Sequence, residues 1–570
     1  MGTRLKSRTG DLPKPMIPLA GKPLLQHQIE LCRDSGFTHI ALLVQHRSEA
    51  IRDFFGDGSA LGVRLTYAIE SEPRGTAGAL RDALPLLAER FLVLYGDTYL
   101  DVNLRRLWQA HVESKADATL FLHPNDHPQD SDLVEVDAEG RVISVLAYPH
   151  PDGREARNLV NAALYVLEAR GLDSFIPSTG KSDLAKHTFP RLLVEGRRLA
   201  GYVSPEYIKD IGTPERIDKA ERDIAVGLPE RLSERQPRSA VFLDRDGTLN
   251  TEVDHLRSPD QLQILPGVAE AIRRLNRDGR LAVVVTNQPV LARGEITVPE
   301  LDRIHARLDW QLGAGGAYLD RIYYCPHHPD HGFEGEVVEL KIPCDCRKPA
   351  TGLIDEACQD LGINRSVSWM VGDTTSDLEA GRRSGMKTIL VETGYAGCDA
   401  KYPVRPDYVC ATLTAAIDWI LTGHGETRRK LASWLPEVLE SKRCVLIDGQ
   451  DPVRMACEAQ VLGESLQEHG LTAHTIFLNS WSSPVPTAGE VQDPGRSPDL
   501  TVILCELEHI AKSTARRILM EPILRVKPGR PPSHLRHSIG PQDLLILIGT
   551  KGLPTDWLPC PATLRRSGAS

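Results

Sequence analysis

Short runs of aliphatic and β-branched residues alternate with amphipathic stretches along most of the chain. Leu25, Ile29 and Cys32 recur at helical spacing. Gly36 then marks a helix end, and residues 40–44 are typical of the next buried strand. Repeated αβ units of this kind predict parallel sheets joined by crossover helices. We therefore expect the α/β fold class, arranged as doubly wound, mainly parallel-sheet domains.

Two stretches interrupt this pattern and divide the chain. Residues 228–238 carry two prolines and several charges without periodicity, and residues 423–430 are rich in glycine and charge. Such stretches are typical of linkers. We predict three domains, at 1–232, 239–422 and 441–570.

Composition narrows the classes of partner. The chain has 570 residues, 41% hydrophobic and 25% charged, with a formal net charge of −10. This acidic balance argues against nucleic acid and against an anionic membrane surface as partners. The sequence starts without the apolar stretch of a secretory signal and has no apolar run of bilayer length, so we expect a cytoplasmic enzyme. The 11 cysteines then favour thiols or metal ligands over disulfides.

The strongest chemical signal lies in the middle segment. Residues 241–250 read Val-Phe-Leu-Asp-Arg-Asp-Gly-Thr-Leu-Asn, a buried strand that ends in Asp244 and Asp246 before a Gly-Thr turn. Open α/β sheets bind ligands at such strand ends. Two carboxylates there can act as nucleophile and as proton donor, although a turn that simply favours Asp and Gly is the alternative.

Three further places in this segment carry polar residues suited to phosphate chemistry. They are, in chain order, Thr286 and Asn287 after the strand 281–285, Lys348 in a Cys-Arg-Lys-Pro turn, and Asp373 after the strand 369–371. Hydroxyl, amide and ammonium groups can hold phosphoryl oxygens, and carboxylates suit Mg²⁺. With the Asp-x-Asp-Gly-Thr turn, this ordered set resembles the haloacid dehalogenase superfamily of phosphatases over residues 240–395.

The resemblance implies a role for each of these residues. Asp244 is expected to form an aspartyl-phosphate, and Asp246 to protonate the leaving oxygen and then activate water. Thr286 and Lys348 are expected to stabilise the transferring phosphoryl group. Asp244, Asp373 and the backbone carbonyl of Asp246 are expected to hold Mg²⁺, which offsets the repulsion between carboxylate and phosphate.

A group of potential zinc ligands lies in the same segment. It consists of Cys325 and His327 and, after sixteen intervening residues, Cys344 and Cys346. Three thiolates and one imidazole can close a tetrahedral Zn²⁺ site with no open position, which indicates a structural metal. His328 and His331 are rival ligands in a loop rich in histidine.

The position of these potential zinc ligands indicates a particular family within the superfamily. Together with Thr286-Asn287-Gln288 and Ala292-Arg293-Gly294, a zinc loop just before Arg347-Lys348 resembles the heptose-1,7-bisphosphate phosphatases, with histidinol-phosphate phosphatases as close relatives. The resemblance implies that Asn287, Arg293 and Arg347 bind the phosphosugar, since arginine forks suit phosphate. Pro289 and Val290 depart from the Ser-Gly pair usual in that family.

The first segment resembles sugar-1-phosphate nucleotidyltransferases over residues 2–225. The motifs are Gly2-Thr-Arg4, Pro13-Lys14-Pro-Met-Ile-Pro-Leu-Ala-Gly-Lys22, Glu70-x-x-Pro73-x-Gly75-Thr76-Ala-Gly78, Gly96-Asp97, Asn161-Ala-Ala-Leu-Tyr165 and Asp210-Ile-Gly-Thr-Pro214. The resemblance implies substrate contacts from Arg4, Lys14, Gly75 and Asn161, and a second Mg²⁺ held by Asp97 and Asp210.

This segment also departs from the family pattern. The family begins with a central strand and a Leu-Ala-Gly-Gly loop, and the given sequence starts after both. Arg74 stands where a leucine is expected, and Ala185 where the family generally has Glu. We therefore expect the chain as given to transfer nucleotides poorly, because a missing central strand removes ladder hydrogen bonds on both sides.

The last segment is similar to P-loop sugar or nucleoside kinases. A strand at 444–447 leads into Asp448-Gly449 and an amphipathic stretch, and strands follow at 474–478 and 500–505. Arg454, Met455 and Ala456 stand where a phosphate loop needs Gly, Lys and Ser or Thr. We expect a degenerate domain without ordinary ATP binding.

The leading hypothesis is a phosphatase that removes the distal phosphate of a heptose-1,7-bisphosphate during synthesis of nucleotide-activated heptose. Its product would be a sugar 1-phosphate, which nucleotidyltransferases consume, so the fusion makes chemical sense. One alternative is a bifunctional chain, or one that is mainly a nucleotidyltransferase of the heptose- or mannose-1-phosphate guanylyltransferase type, with a nucleoside triphosphate as partner. Histidinol-phosphatase activity and a non-enzymatic phosphosugar-binding scaffold are the others.

Overall fold

The computed structural model describes residues 12–422, apart from residues 46, 71, 151–153 and 333, and four strands between residues 445 and 549. Contacts divide the chain into two units. The first consists of Met1–Gly372 and Glu379–Lys387, and the second of Asp373–Leu378 and Thr388–Ser570. Among the described helices, none combines the length and the apolar composition needed to cross a membrane.

The first segment of the first unit contains twelve strands and seven α-helices among its described residues. The strands are β1 (Pro18–Leu19), β2 (Lys22–Pro23), β3 (His39–Val44), β4 (Arg64–Ile69), β5 (Arg90–Leu94), β6 (Thr98–Asp101), β7 (Ala118–His123), β8 (Leu133–Val136), β9 (Val142–Leu146), β10 (Val160–Glu168), β11 (Leu199–Val203) and β12 (Tyr207–Asp210). The helices are α1 (Leu24–Asp34), α2 (Ser48–Phe55), α3 (Gly75–Ala83), α4 (Leu104–Ser114), α5 (Phe189–Val194), α6 (Pro214–Ala225) and α7 (Leu228–Leu232).

The main sheet of this segment is mixed. Its order is β11-β7-β10-β8-β9, and β5 also pairs with β10. β11 runs parallel to β7, but β10 runs antiparallel to β5, β7 and β8. β8 and β9 form an antiparallel hairpin closed by a turn at Asp137–Gly140. Short hairpin connections permit antiparallel neighbours without a crossover helix. The predicted α/β class is confirmed, and this sheet is less parallel than the pattern suggested.

The middle segment is built on four parallel strands in the first unit, in the order β15-β14-β13-β16. They are β13 (Ala240–Leu243), β14 (Leu281–Asn287), β15 (Arg321–Cys325) and β16 (Trp369–Gly372). The helices are α8 (Val268–Asp278), α9 (Pro289–Ala292), α10 (Val298–Ala314), α11 (Gly352–Leu361) and α12 (Thr375–Arg383). All four residues of β13 are 0% exposed, because neighbouring strands cover both edges and packed side chains cover both faces.

The predicted linker at 228–238 begins as a helix. Gly227 has a φ of 71° and leads into α7, and Pro229 occupies its first turn, where a missing N–H has no cost. Leu228 and Leu232 are buried in the same cluster as Tyr207 and Phe242, so α7 joins the cores of the first and middle segments. Two leucines four positions apart were the signal for this helix in the sequence.

The second unit contains the remaining described strands. β17 (Lys387–Val391) pairs in parallel with β18 (Tyr408–Cys410), and α13 (Leu413–Thr422) follows. The last four strands are β19 (Val445–Asp448), β20 (Ala473–Leu478), β21 (Leu500–Cys505) and β22 (Leu544–Gly549), in the parallel order β19-β22-β21-β20. Gly449 and residues 454–456 lie outside the described residues, so the altered phosphate loop and the three-domain division stay predictions.

Candidate active sites and metal centre

A buried carboxylate–ammonium pair lies at the end of β13. The amide of Asp244 donates a 3.0 Å hydrogen bond to the carbonyl of Val371, which extends the strand pairing as far as this residue. The Asp244 carboxylate accepts a 2.7 Å hydrogen bond from Nζ of Lys348. Asp244 is 8% and Lys348 5% exposed, so each charge has little contact with water and is stabilised by the other.

Asn287 holds Lys348 in this place. Its Nδ2 donates a 3.1 Å hydrogen bond to the carbonyl of Lys348, and its Oδ1 accepts a 2.9 Å bond from the amide of Lys348. Both ends of the side-chain amide therefore contact the backbone of the lysine. The substrate contact expected of Asn287 stays a prediction, and the structure adds a positioning role that the sequence did not indicate.

The second predicted catalytic acid, Asp246, sits in a dense hydrogen-bond network. Arg245 donates to both carboxylate oxygens at 3.1 and 2.8 Å, Asn250 donates at 2.9 Å, and Gln288 at 3.0 Å. Burial acts to raise the pKa of Asp246, but the charge of Arg245 and these hydrogen bonds outweigh it and hold the pKa below its ordinary value. Asp246 is therefore ionised at neutral pH in this state.

Arg245 and Gln288 connect the predicted catalytic residues. Nε2 of Gln288 also donates a 2.9 Å hydrogen bond to Oγ1 of Thr286, and its Oε1 accepts a 2.9 Å bond from Arg245. Arg245 is 0% exposed, and its Nη1 lies 3.3 Å from Nε2 of His305. Burial and the nearby charge of Arg245 hold the pKa of His305 well below its usual range, so the ring is neutral and its nitrogen can accept from Arg245.

Sequence reasoning did not assign a role to Arg245, Asn250 or His305. The available signal was the position of Arg245 between two acids at the end of a buried strand, because a buried guanidinium needs partners. That His305 is the partner of Arg245 depends on how α10 packs. No local pattern around residue 305 indicated it.

Two carboxylates of the second unit, the predicted Asp373 and the nearby Asp377, have well-defined local partners. Asp373 is fully buried, and its Oδ2 accepts a 2.7 Å hydrogen bond from the amide of Tyr395. Asp377 accepts bonds from the amide and hydroxyl of Thr374 at 3.1 and 2.7 Å. Asp377 thus holds the turn that enters α12.

The two arginines expected to bind the phosphosugar are half-buried. Nη1 of Arg293 lies 2.7 Å from Nε2 of His255. Nη1 of Arg347 donates a 3.1 Å hydrogen bond to the carbonyl of His327 and so links the lysine turn to the cysteine-rich loop. Their contact with substrate stays a prediction.

The predicted zinc ligands come together in one cluster: Cys325, His327, Cys344 and Cys346, whose ligand atoms all lie within 4.8 Å of one another. The sulfurs are separated by 3.1, 3.3 and 3.6 Å, and Nδ1 of the histidine lies 3.2 Å from one of them. Four donors this close together can all bind one central ion. Neither rival histidine belongs to the cluster; Nδ1 of His328 instead accepts a 3.2 Å bond from the amide of Asp330.

In the first segment, two predicted site residues form an ion pair. Nζ of Lys14 donates a 2.9 Å hydrogen bond to Oδ2 of Asp97, with about a third of each side chain exposed. Asp210 accepts a 2.7 Å bond from the amide of Gly212 and pairs with Arg216. Arg4 lies outside the described residues.

A cavity of about 500 Å³ brings Asn161 and Asp210 together. Its lining carries the cations Lys209, Arg216 and Lys219 beside the acids Asp126, Asp130, Asp132 and Asp210. Lys209 and Lys219 pair with Asp126, and Arg216 pairs with Asp210. The structure thus gathers two of the predicted site residues at one concave, polar surface. Small-molecule sites are typically concave with a few convergent polar groups.

Gly75 begins α3 where no other residue fits. Its φ is 74°, and a Cβ at this position would lie 2.4 Å from the carbonyl oxygen of Ser182. The neighbouring Arg74, which departs from the family pattern, donates hydrogen bonds to the carbonyls of Pro177 and Ser178 at 3.0 and 2.9 Å. Arg74 therefore ties this turn to a second loop.

Two family models match the chain: a nucleotidyl transferase model over residues 1–226 and a HAD-hydrolase-like model over residues 345–416. The D-glycero-beta-D-manno-heptose-1,7-bisphosphate 7-phosphatase of Haemophilus ducreyi is 40% identical over 185 residues, which is 32% of this chain and 98% of that protein. The D-glycero-D-manno-heptose-1,7-bisphosphate 7-phosphatase of Thermosynechococcus vestitus is 39% identical over 193 residues, 33% of this chain and 97% of that protein.

Among solved structures, the chain is similar to D,D-heptose 1,7-bisphosphate phosphatase from B. bronchiseptica complexed with magnesium and phosphate. The identity is 32%, the match covers 32% of this chain and 99% of that chain, and the TM-score is 0.29.

Proposed function

This chain belongs to the D-glycero-D-manno-heptose-1,7-bisphosphate 7-phosphatase family, and on that premise we propose that it hydrolyses the distal phosphate of a heptose-1,7-bisphosphate. The observation that carries the proposal is the buried contact between Asp244 and Lys348 at 2.7 Å. A lysine held against a strand-end carboxylate orients a nucleophile and offers a cation to the incoming phosphoryl group.

The reaction proceeds in two displacements on phosphorus. In the first, a carboxylate oxygen of Asp244 bonds to phosphorus, the bond to the sugar oxygen breaks, and Asp246 gives that oxygen a proton. In the second, Asp246 takes a proton from water, the water oxygen bonds to phosphorus, and the bond to Asp244 breaks. The products are heptose 1-phosphate and inorganic phosphate.

Asp246 must gain a proton before the first displacement. In the described state its pKa lies below the ordinary value, because the charge of Arg245 and the hydrogen bonds from Arg245, Asn250 and Gln288 outweigh the effect of burial. A doubly charged phosphate arriving beside it favours the protonated form. Substrate binding thus supplies the change that turns Asp246 into an acid.

The donor set fits Mg²⁺. Asp244 and Asp373 are both buried and offer carboxylate oxygens, the ligands that a hard divalent cation prefers. We assign Mg²⁺ to these two carboxylates and the backbone carbonyl of Asp246. When bound, the ion supplies charge neutralisation between the nucleophile and the phosphate.

Zinc is assigned to the cluster of Cys325, His327, Cys344 and Cys346. Four protein donors fill a tetrahedral site, so the ion is structural and takes no part in the chemistry. It would fix the loop that carries His327, whose carbonyl accepts from Arg347. Arg347 and Arg293 are proposed to bind the part of the sugar remote from the reacting phosphate.

Phosphate release from heptose-1,7-bisphosphate tests the proposal. The full chain is assayed with Mg²⁺ beside histidinol phosphate and fructose-1,6-bisphosphate, as wild type and as Asp244→Asn. We expect heptose bisphosphate to be preferred and the variant to lose about 10³-fold or more in kcat, as removal of a covalent nucleophile does.

The matched control is Asp260→Asn, the same substitution at an exposed acid of the same segment. It should keep wild-type turnover. Full turnover by Asp244→Asn would exclude the covalent route, and a preference for histidinol phosphate would replace the substrate assignment.

A second function, transfer of a nucleotide to a sugar 1-phosphate, is favoured by the cavity that holds Asn161 and Asp210. The family model over residues 1–226 supports the same class of reaction. The heptose 1-phosphate released by the phosphatase would be its substrate. Incubation with heptose 1-phosphate, GTP or ATP and Mg²⁺ tests it. Slow pyrophosphate release is expected, in keeping with the departures from the family pattern, and no release with any nucleotide would contradict the transfer function.

A further inference from the structure

A helix of the middle segment, α10 (Val298–Ala314), contacts the wall of the cavity in the first segment. The Asp309 side chain, 5% exposed, accepts a 2.7 Å hydrogen bond from Nε of Arg157 and a 3.2 Å bond from the amide of Asn158. Both bonds end on the same oxygen, Oδ2. A buried carboxylate is stable only with such partners, and here both belong to the other segment.

Asn158 extends this contact to the cavity wall. Its side chain accepts a 3.1 Å hydrogen bond from the amide of Asn125 and donates a 2.7 Å bond to the carbonyl of Asn125. The Asn125 side chain in turn accepts from the amide of His127 at 3.0 Å and donates to Oγ of Ser131 at 2.9 Å. Asn125, His127 and Ser131 all line the cavity. A continuous path of hydrogen bonds thus joins α10 to the cavity.

The same helix packs tightly against the tip of this loop. A Cβ at Gly313 would lie 2.5 Å from Cγ of Pro128, closer than two carbon atoms can approach. One turn earlier, the carbonyl of Trp310 accepts a 3.2 Å hydrogen bond from Nε2 of Gln129. The loop therefore cannot shift toward α10, and Asp309 prevents it from moving away.

A second ion pair across this contact, Glu155 with Arg307, is more exposed, at 23% and 37%. Exposed pairs contribute little because water screens them. Asp309 is consequently the side chain on which the position of the loop depends most.

We infer that Asp309 is a positioning residue for the sugar-phosphate cavity of the first segment, so that this cavity has its binding geometry only with the middle segment attached. The inference rests on the proposed nucleotidyl transfer. A displacement of about 1 Å at a binding wall can cost about 100-fold in rate, so loss of both Asp309 bonds should weaken ligand binding at least tenfold.

The test uses the full chain and heptose 1-phosphate as the probe, titrated by calorimetry. Asp309→Ala and Gly313→Ala disturb the loop by two different routes and should each raise Kd at least tenfold. Asp309→Asn keeps an oxygen that can accept both bonds, so its Kd should stay near that of wild type. Arg303→Ala removes an exposed charged side chain from the same helix and is the control.

Two further readouts separate positioning from general damage. Amide hydrogen exchange of residues 124–132 should accelerate in Asp309→Ala. Phosphate release by the same sample should remain within about twofold of wild type, because both hydrogen bonds of Asp309 go to the first segment and neither goes to a residue of the phosphatase site. Equal Kd and equal exchange in wild type and Asp309→Ala would overturn the inference. Loss of phosphate release together with binding would overturn it too, since the residue would then support the whole fold.

A wild-type protein that does not bind heptose 1-phosphate would be a different outcome from a failure of the Asp309 variants. It would remove the proposed nucleotidyl transfer, and the inference with it. Binding by wild type that Asp309→Ala leaves intact overturns the positioning role alone.

Discussion

The ammonium group of Lys348 donates a 2.7 Å hydrogen bond to the carboxylate of Asp244, a residue 104 positions earlier in the chain. Both are buried, and Asn287 holds the backbone of the lysine through two hydrogen bonds. The proposed nucleophile, a cation and the group that orients the cation thus come from three separate strand ends or turns. Their juxtaposition leads to the first two predictions.

Lys348→Met should lower kcat for phosphate release by about 10²- to 10³-fold, the usual effect of removing one charged group that stabilises a transition state. The methionine nearly matches the lysine in volume, so packing is largely kept. Lys387→Met, on the exposed end of β17, is the control and should keep wild-type kinetics. A raised KM with unchanged kcat would mean that Lys348 serves only to bind substrate.

Asn287→Ala should lower kcat about tenfold, because the lysine turn loses both of its side-chain hydrogen bonds and with them its alignment. If Asn287 instead acts mainly through a contact with the sugar, KM should rise and kcat should stay near wild type. Steady-state kinetics on heptose-1,7-bisphosphate distinguishes the two outcomes. Asn287→Asp, which keeps the acceptor and loses the donor, should fall between wild type and Asn287→Ala.

The cysteine and histidine cluster predicts one tightly bound zinc ion per chain. The double variant Cys344→Ser and Cys346→Ser should lose that ion and unfold at lower temperature, since binding at a structural zinc site contributes directly to folding. Plasma mass spectrometry and calorimetry measure the two quantities. Cys358→Ser, a free cysteine outside the cluster, should keep both at wild-type values. A metal-free wild type of equal stability would contradict the assignment.

Asp320 predicts a dependence of stability on pH. Burial raises the pKa of Asp320 to about 7. The hydrogen bond from the amide of Ala282 and the charge of Arg238 lower this pKa but do not offset the effect of burial. The folded state therefore holds this proton more tightly than the unfolded state, whose Asp pKa is about 4. The contribution of Asp320 to the free energy of unfolding is fully present below about pH 4 and is lost as pH rises to about 7, by up to about 4 kcal/mol.

Asp320→Asn removes this titration and can keep the bond from Ala282. The variant should gain stability over wild type progressively between pH 4 and pH 7, as measured by urea unfolding. Asp53→Asn, at an exposed acid of α2, should give no such trend. A difference between Asp320→Asn and wild type that is the same at every pH would show that Asp320 does not titrate in this range.

Leu232 joins the cores of the first and middle segments. Leu232→Ala should lower the free energy of unfolding by about 2–4 kcal/mol, because the smaller side chain leaves a cavity between α7 and the middle sheet. Leu86→Ala, at a leucine that is 45% exposed, should change it by less than about 1 kcal/mol. Urea unfolding measures both. Equal values for the two variants would mean that α7 is not part of the cooperative core.

The α/β class and the cluster of three cysteines and one histidine were predictable because their signals are local. Buried strands such as β13 are continuous apolar runs, and each of the two pairs that form the cysteine and histidine cluster spans only three residues. The mixed sheet of the first segment was harder to predict. Whether neighbouring strands run parallel or antiparallel depends on which strands pair. β7 and β10 pair although they lie far apart in the sequence, so no local pattern indicates their direction.

The sequence by itself determined which reactive groups stand at the strand ends, because strand ends follow from where apolar runs stop. Tertiary structure decided which of these groups meet. Asp309 lies in an amphipathic helix, where an acid normally faces water, and only packing against the first segment buries it beside Arg157. Arg245 likewise acquires His305 through the placement of α10. Burial and partnership between distant residues are properties of the packed chain, since no short stretch of sequence contains both members of a pair.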